Sequence, residues 1–514
     1  MPANAERATG LRPGLRGLGA LLAVAGLLVP VPARGQHFPP AEELELLLRY
    51  RVEDGAATAV ALGLLEADGS TSVLTYGGSG TASAPGPGTV FEIGDLTMTF
   101  TATLLALMVE RGEVALDDPV AEYLPEGARV PSRGRRHITL GDLALHRSGL
   151  PAEPPGRPEE LTVEALYAFL SETKLEHPPG QGYEYSAVGY GLLGHALERA
   201  AGIPLPDLLR ERVLRPLGME RTGYPLVDDL EEWAIPGHHD GEAVPPSVPG
   251  EGLRGATGLR SSPADMVAYL KANARPPDTE LGRAMRTAQR VRGATDPDGE
   301  GRGFSWRQYV EAREPLLVTH GGRTAGFTAL ITFDRARGIG TVVLADGRDV
   351  RPWFGRNLLW LDPWPAETPM SADAGAGERY TGTYSTTVGR YKAVAGRGRH
   401  FIRSEEDGQL TYQRPGGVRM PLRARTDSSF YMVGAPYTLA FADGEEGMQM
   451  VASIDERESL RQQGQRWRAW RIGEAPSPEA GAGIAIPTTA LLGLLAGLAL
   501  VVVALSFRTR RRRA

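Results

Sequence analysis

Three short stretches place chemistry-bearing side chains at spacings that matter. In Phe91-Glu92-Ile93-Gly94-Asp95-Leu96-Thr97-Met98-Thr99-Phe100 a short strand ends at Gly94, and Asp95 is positioned to cap the helix that follows. A carboxylate there holds an orphan N–H and favours ligands that bring a cation or a hydrogen-bond donor. Ser171-Glu172-Thr173-Lys174 sets a lysine three residues after a serine, the spacing at which an amine can take a hydroxyl proton. It falls at the C-terminal end of an amphipathic pattern, before Pro178-Pro179-Gly180, where no helix N-terminus supplies an oxyanion site. We therefore read Ser171 and Lys174 as a solvated helix end. His238-His239-Asp240 lies between Pro236-Gly237 and Gly241; adjacent histidines do not converge on one ion without further ligands, so we expect a solvent-exposed loop and no metal. The chain has no cysteine, which excludes disulfides, thiolate catalysis and cysteine-ligated metals.

The elements that must position these residues follow from periodicity. Leu96, Phe100, Leu104 and Met108 recur at helical spacing until Arg111-Gly112, which makes the segment after Asp95 a buried helix. Ahead of it, residues 41–51 carry the stripe Leu44, Leu46, Leu47 and Leu48, and 58–65 and 71–76 read as strands about a turn at 67–70. Thr139 suits a helix N-cap and Gly149 a helix stop, and 161–170 is amphipathic. Residues 316–327 read as the edge of a strand and a glycine turn, and 329–333 and 340–344 as apolar strands. Strands first, a helical middle, then strands again imply one antiparallel sheet built from both ends with a helical lobe between. After a Pro-, Ala- and Gly-rich linker at 365–378, short alternating segments at 380–384, 401–403, 410–413, 430–433, 448–454 and 466–471 predict a small β-barrel or sandwich.

Four motifs, in order, resemble the serine β-lactamase and penicillin-binding-protein family. Phe91-Glu92-Ile93-Gly94 is similar to the run that leads into Ser-x-x-Lys, with Asp95 at the serine position and Met98 at the lysine position. Ile138-Thr139-Leu140-Gly141-Asp142-Leu143-Ala144-Leu145-His146-Arg147-Ser148-Gly149-Leu150 resembles a second signature, in which we read His146 and Ser148 as structural. Tyr185-Ser186-Ala187 resembles Tyr-Ser-Asn, with Ala187 in place of the asparagine, and His320-Gly321-Gly322 resembles His/Lys-Thr/Ser-Gly. The resemblance implies an α+β, β-lactamase/transpeptidase-like domain at 40–364, an antiparallel sheet flanked by helices plus a helical lobe. The region 379–472 looks like the lipocalin-like domain that often follows it.

In that family a serine is acylated, a lysine one turn on takes its proton, a tyrosine assists and backbone N–H groups hold the oxyanion. Carried over by position, the tyrosine is Tyr185 and the oxyanion donors are the N–H groups of Asp95 and Arg323. Asp95 has no proton to lose on attack and Met98 cannot act as a base, so the resemblance implies a pseudoenzyme. Its cleft would be formed by Asp95, Tyr185, His320, Gly321, Gly322 and Arg323 and would bind a peptide, a peptidoglycan fragment or an envelope protein, without a cofactor. The alternative is a hydrolase of the same class (esterase, D-aminopeptidase, carboxypeptidase or β-lactamase-like) acting through a rearranged site with Asp95 or Tyr185 as base.

At 514 residues and 42% hydrophobic content the chain can bury a large core, and a net charge of −6 gives no general electrostatic case for nucleic acid. Arg7, Arg12 and Arg16 precede an apolar run at 18–31, and Ala33-Arg34-Gly35 offers a cleavage site, so we expect a signal peptide at 1–35. Beyond a second linker at 473–483, the uncharged run 484–507 is long enough to cross roughly 30 Å of hydrocarbon. The arginine-rich tail 508–514 then predicts a single-pass cell-membrane protein with its body outside and its tail cytoplasmic.

Overall fold

A computed structural model describes residues 37–360 and 378–473, leaving out short internal stretches of which the longest are 293–299, 387–398 and 455–465. The expected signal peptide (1–35), span (484–507) and tail (508–514), with residues 365–377 and 474–483 of the linkers, lie outside the described residues. Among those described, no helix is long and apolar enough to cross a membrane.

Helix α1 (Ala41–Glu53) leads to the hairpin β1 (Ala59–Leu65) and β2 (Thr71–Gly77). A two-residue strand β3 (Phe91–Glu92) and a 3₁₀ turn (Gly94–Leu96) enter α2 (Thr97–Glu110). The helical middle runs through α3 (Leu140–Ala144), α4 (Val163–Glu172), α5 (Ala187–Ala201) and α6 (Leu205–Leu209). The hairpin β4 (Gly237–His239) and β5 (Glu242–Val244) follows, then β6 (Arg260–Ser261), which pairs with β3, and helices α7 (Pro263–Ala274) and α8 (Glu280–Gln289). The chain returns through β7 (Glu300–Arg302), β8 (Arg307–Glu311), β9 (Glu314–Arg323), β10 (Thr328–Asp334) and β11 (Ile339–Ala345) to α9 (Trp353–Trp360).

One antiparallel sheet of seven strands, in the order β2-β1-β11-β10-β9-β8-β7, joins both ends of this region, with Val60 opposite Ala345 and His320 opposite Ile331. Strand alternation gives it two buried faces. Ala59, Ala61, Leu65, Ile331, Phe333, Val342 and Leu344 point into the core that holds α2, α5 and α7, whereas Val60, Leu62, Leu64, Leu330, Val343 and Ala345 join α1 and α9. The strand edge and glycine turn expected within 316–327 are both present: β9 continues unbroken through Gly321 and Gly322, and the chain turns between Thr324 and Phe327, at Gly326.

Helix α2 is buried all round, from Thr97 to Met108, rather than along one stripe. Its threonines are tolerated there because each hydroxyl finds a carbonyl: Thr97 on Gly94 at 2.7 Å, Thr99 on Leu96 at 2.7 Å, Thr101 on Gly255 at 2.7 Å and Thr103 on Thr99 at 2.8 Å. Phe100 stacks on Tyr269 of α7 with centroids 4.0 Å apart, and burying such a side chain contributes roughly 1.5–3 kcal/mol. The start of this helix is thereby held rigid against the sheet.

Thr139 caps α3 as expected, with a reciprocal bond from Asp142, but the helix stops at Ala144 and not at Gly149. The cause is His146, whose φ of 54° is left-handed and takes the chain out of the helix early. After the linker, strands β12 (Gly382–Thr386), β13 (Arg399–Ser404), β14 (Leu410–Gln413), β15 (Met420–Thr426), β16 (Ser429–Met432), β17 (Tyr437–Gly444), β18 (Gly447–Ile454) and β19 (Arg466–Gly473) close into a barrel, β12 pairing with β19. Ile402, Leu410, Tyr412, Phe430, Phe441 and Met450 fill it and are continuous with the apolar cluster that includes α1 and α9.

Candidate active site

Strand β9 and the entry to α2 touch through backbone. At Gly322 an added Cβ would lie 1.9 Å from the Ile93 carbonyl oxygen and 2.9 Å from the Asp95 nitrogen, so no side chain fits. Gly94 meets the same constraint from the other side, since its Cβ would be 2.7 Å from the Arg323 nitrogen and its φ is +52°. These two glycines bring the main chain of Asp95 and Arg323 together, the two residues whose N–H groups were expected to face an oxyanion. Gly321 and Arg323 are exposed at the end of β9.

His320 links the same elements. Its Nδ1 lies 2.6 Å from the Ser305 carbonyl and its Nε2 3.0 Å from the Asp95 carbonyl. Burial pushes its pKa down to about 4, although both carbonyl contacts pull the other way. The ring is neutral at physiological pH and donates to one of the two carbonyls at a time.

Asp95 does not cap α2. The N-cap position belongs to Leu96, with no side-chain cap bond, and Asp95 sits inside the preceding 3₁₀ turn. Its carboxyl makes no cap bond and lies by the Tyr185 hydroxyl, each group shifting the titration of the other. Burial pushes the Asp95 pKa up to about 6; the Tyr185 hydroxyl opposes this and the nearby Glu153 reinforces it. Burial, and next the Asp95 charge, push the Tyr185 phenol far above its ordinary value.

Tyr185 is placed by its neighbours. Ser186 caps α5, its Oγ accepting from the Gly189 N–H at 2.8 Å and donating to the Pro151 carbonyl at 2.7 Å. The Ser186 N–H donates to His146 Nδ1 at 3.1 Å, and the His146 ring stacks on Tyr185 at 4.9 Å. Burial holds His146 neutral, with a pKa of about 3, which leaves Nδ1 free to accept. The sequence identifies His146 as structural; that it holds Tyr185 in place depends on a left-handed φ that no spacing reveals. Ala187 opens α5 with its N–H on the Ala152 carbonyl at 2.8 Å, and Met98, one turn into the helix after Asp95, is fully buried.

Other candidates stand apart. Ser171 is exposed near the end of α4 with its Oγ on the Ala168 carbonyl, and Lys174 is exposed beyond that end. His238 departs from the expected solvent-exposed loop: it lies in β4, largely buried, with Nδ1 3.3 Å from the Asp346 carboxylate, because its N–H pairs with the Asp346 carbonyl at 2.7 Å. His239 and Asp240 are exposed. Among the described residues no group of three or more acidic or histidine side chains is arranged to hold a metal.

An antiparallel sheet whose inner strand abuts the start of a buried helix, faced by a tyrosine at the head of a helix in the helical lobe, is a β-lactamase/transpeptidase-like α+β fold. The chain belongs to the beta-lactamase family, whose model matches residues 45–361. It is 34% identical over 229 residues to the D-alanyl-D-alanine-carboxypeptidase/endopeptidase AmpH of Escherichia coli (strain K12), covering 41% of this chain and 57% of that protein. It thus spans little more than half the length of that relative. A Beta-lactamase of Pseudomonas fluorescens is 29% identical over 292 residues, covering 50% of this chain and 79% of its own. Among solved structures, a Beta-lactamase/D-alanine Carboxypeptidase from Yersinia pestis complexed with citrate superimposes with a TM-score of 0.51 at 25% identity, covering 59% of this chain and 91% of that one. A class C beta-lactamase superimposes with a TM-score of 0.53 at 22% identity over 60% and 91% of the two chains.

Proposed function

We propose that this protein is a catalytically silent member of its family, which uses the inherited cleft to bind a peptide, a peptidoglycan fragment or a protein partner at the cell envelope. One observation carries the reading: the carboxyl group of Asp95, beside Tyr185, stands where the sequence motif of the family has its nucleophilic serine. An aspartate there puts negative charge where an oxyanion must form, and the buried Met98 offers no base. The alternative, hydrolysis by a rearranged site, needs Asp95 or Tyr185 as base; the raised Tyr185 phenol does not ionise near neutral pH, which leaves Asp95 alone to do so. Wild-type protein is expected to remain unlabelled by a fluorescent penicillin and by a serine-reactive phosphonate. A stable adduct mapped by mass spectrometry to any serine, Ser171 included, overturns the silent-enzyme reading.

The same proposal places the body outside the cytoplasm, followed by a lipocalin-like β-domain and held by a span at 484–507. The support is the sequence pattern of basic and apolar residues at the two ends. Protease added to intact spheroplasts is expected to digest the body of the protein, and full protection would reverse the orientation.

A further inference from the structure

Asp95 places a carboxyl group beside Tyr185 and near the exposed end of β9, where Arg323 is exposed and not paired with it. Asp95 is only half-buried, as are Tyr185 and Ala187 near it, so this part of the site opens toward solvent. No arginine, lysine or histidine forms an ion pair with it among the described residues. The groups that bear on it are the Tyr185 hydroxyl and Glu153 on the loop after α3, which adds negative charge. His320 approaches its carbonyl oxygen and not its carboxyl, and His146 lies behind the Tyr185 ring. Both histidines are held neutral by burial, with Arg307 opposing their protonation and Arg302 also opposing that of His146. Arg302 itself lies over the Tyr183 ring at 3.7 Å and pairs with Glu300 at 3.1 Å. The position one turn along α2 that would carry an ammonium group in an active relative is the buried, uncharged Met98.

We propose that the Asp95 carboxylate is a receptor for a primary ammonium group of the ligand, so that the cleft selects amine-bearing peptides over their acylated forms. This deepens the binding function proposed above and rests on it. The ammonium of the ligand supplies the positive charge that the buried Met98 does not, and donates to the carboxylate from the open side of the site. Removal of both groups from water on closure makes the pair selective, because an acetylated amine brings neither charge nor three donors and leaves the carboxylate unpaired.

The test is calorimetric titration of the full-length protein in detergent with the pentapeptide L-Ala-γ-D-Glu-L-Lys-D-Ala-D-Ala and with its form acetylated at both amines. Wild type is expected to bind the free-amine peptide at least about tenfold more tightly. Asp95→Asn, which keeps the acceptor for Tyr185 and nearly the same shape, is expected to erase that preference. Affinity for the free-amine peptide is also expected to rise as pH passes about 6, where the carboxyl ionises. Equal affinity for the two peptides, or a preference that survives Asp95→Asn, overturns the ammonium receptor and leaves the binding function standing. Failure of both peptides to bind overturns the ammonium receptor together with the peptide form of the binding function.

Discussion

Asp95→Ser, Met98→Lys and Ala187→Asn, combined in one chain, are expected to make the protein react with a fluorescent penicillin that leaves the wild type unlabelled. The backbone that such chemistry requires is already in place. Gly94 and Gly322 hold the main chain of Asp95 and Arg323 in contact, and His146 and Ser186 fix Tyr185 against the entry to α2. What is absent is a hydroxyl to attack, an amine one turn away to take its proton, and an amide to hold that amine in position. Residues that act as a unit are strongly non-additive, and removing a nucleophile alone typically costs on the order of 10⁶ in rate. Each single substitution is therefore expected to stay inert, and the triple variant to gain at least ~10³-fold in acylation rate over any single one. Gel fluorescence against time, with circular dichroism to establish folding, makes the comparison. A folded triple variant that stays dark would mean that the two glycines hold a surface no longer shaped for an oxyanion.

Asp95→Asn is expected to stabilise the protein at neutral and alkaline pH, a direction opposite to that of removing a helix cap. The folded carboxyl keeps its proton up to about pH 6, against 3.8 for the unfolded chain. An acid whose folded pKa is raised favours folding at low pH, and that contribution disappears as pH rises from about 4 through about 6. Above that window the ionised carboxylate disfavours the folded state by at most about 3 kcal/mol, and by less because water still reaches it. Asparagine removes the charge and retains an acceptor for Tyr185. At pH 8 its melting temperature is expected to exceed that of the wild type by several degrees, and near pH 3.5 the two should agree. A lower melting temperature for Asp95→Asn at pH 8 would mean that the carboxylate is stabilised where it sits.

The parts of the fold legible in the sequence were those with strong local patterns. Residues 58–65, 329–333 and 340–344 read as strands because they are apolar runs of strand length, buried on both faces of the sheet. The segment after Asp95 read as a buried helix because its apolar residues recur at helical spacing, though the self-satisfied threonines that make it buried all round depend on hydrogen bonds the pattern does not show. Strands β7 and β8 were not anticipated: they are short and polar, and β7, paired only with β8, forms the far edge of the sheet. Within 316–327 the sequence did not distinguish the glycine that turns the chain from the one at Gly322, which the approach of Ile93 and Asp95 requires. The site was legible as a set of positions, Asp95, Tyr185, His320 and Gly322, but not as chemistry. An inserted 3₁₀ turn takes Asp95 out of the N-cap position of α2, and no spacing rule distinguishes the two.

The pairing of β1 with β11 has a consequence for synthesis. Strand β1 is buried along its whole length, and its partner, with Val60 opposite Ala345, lies at the far end of the region. Until residues 339–345 have been made, β1 has only β2 to cover one edge, and its apolar faces stay open to water or to another chain. Such long-range closure makes folding slow and leaves the nascent chain dependent on whatever shields it in the interval. A transcript cut short before residue 339 would therefore yield an aggregation-prone polypeptide and not a smaller working unit.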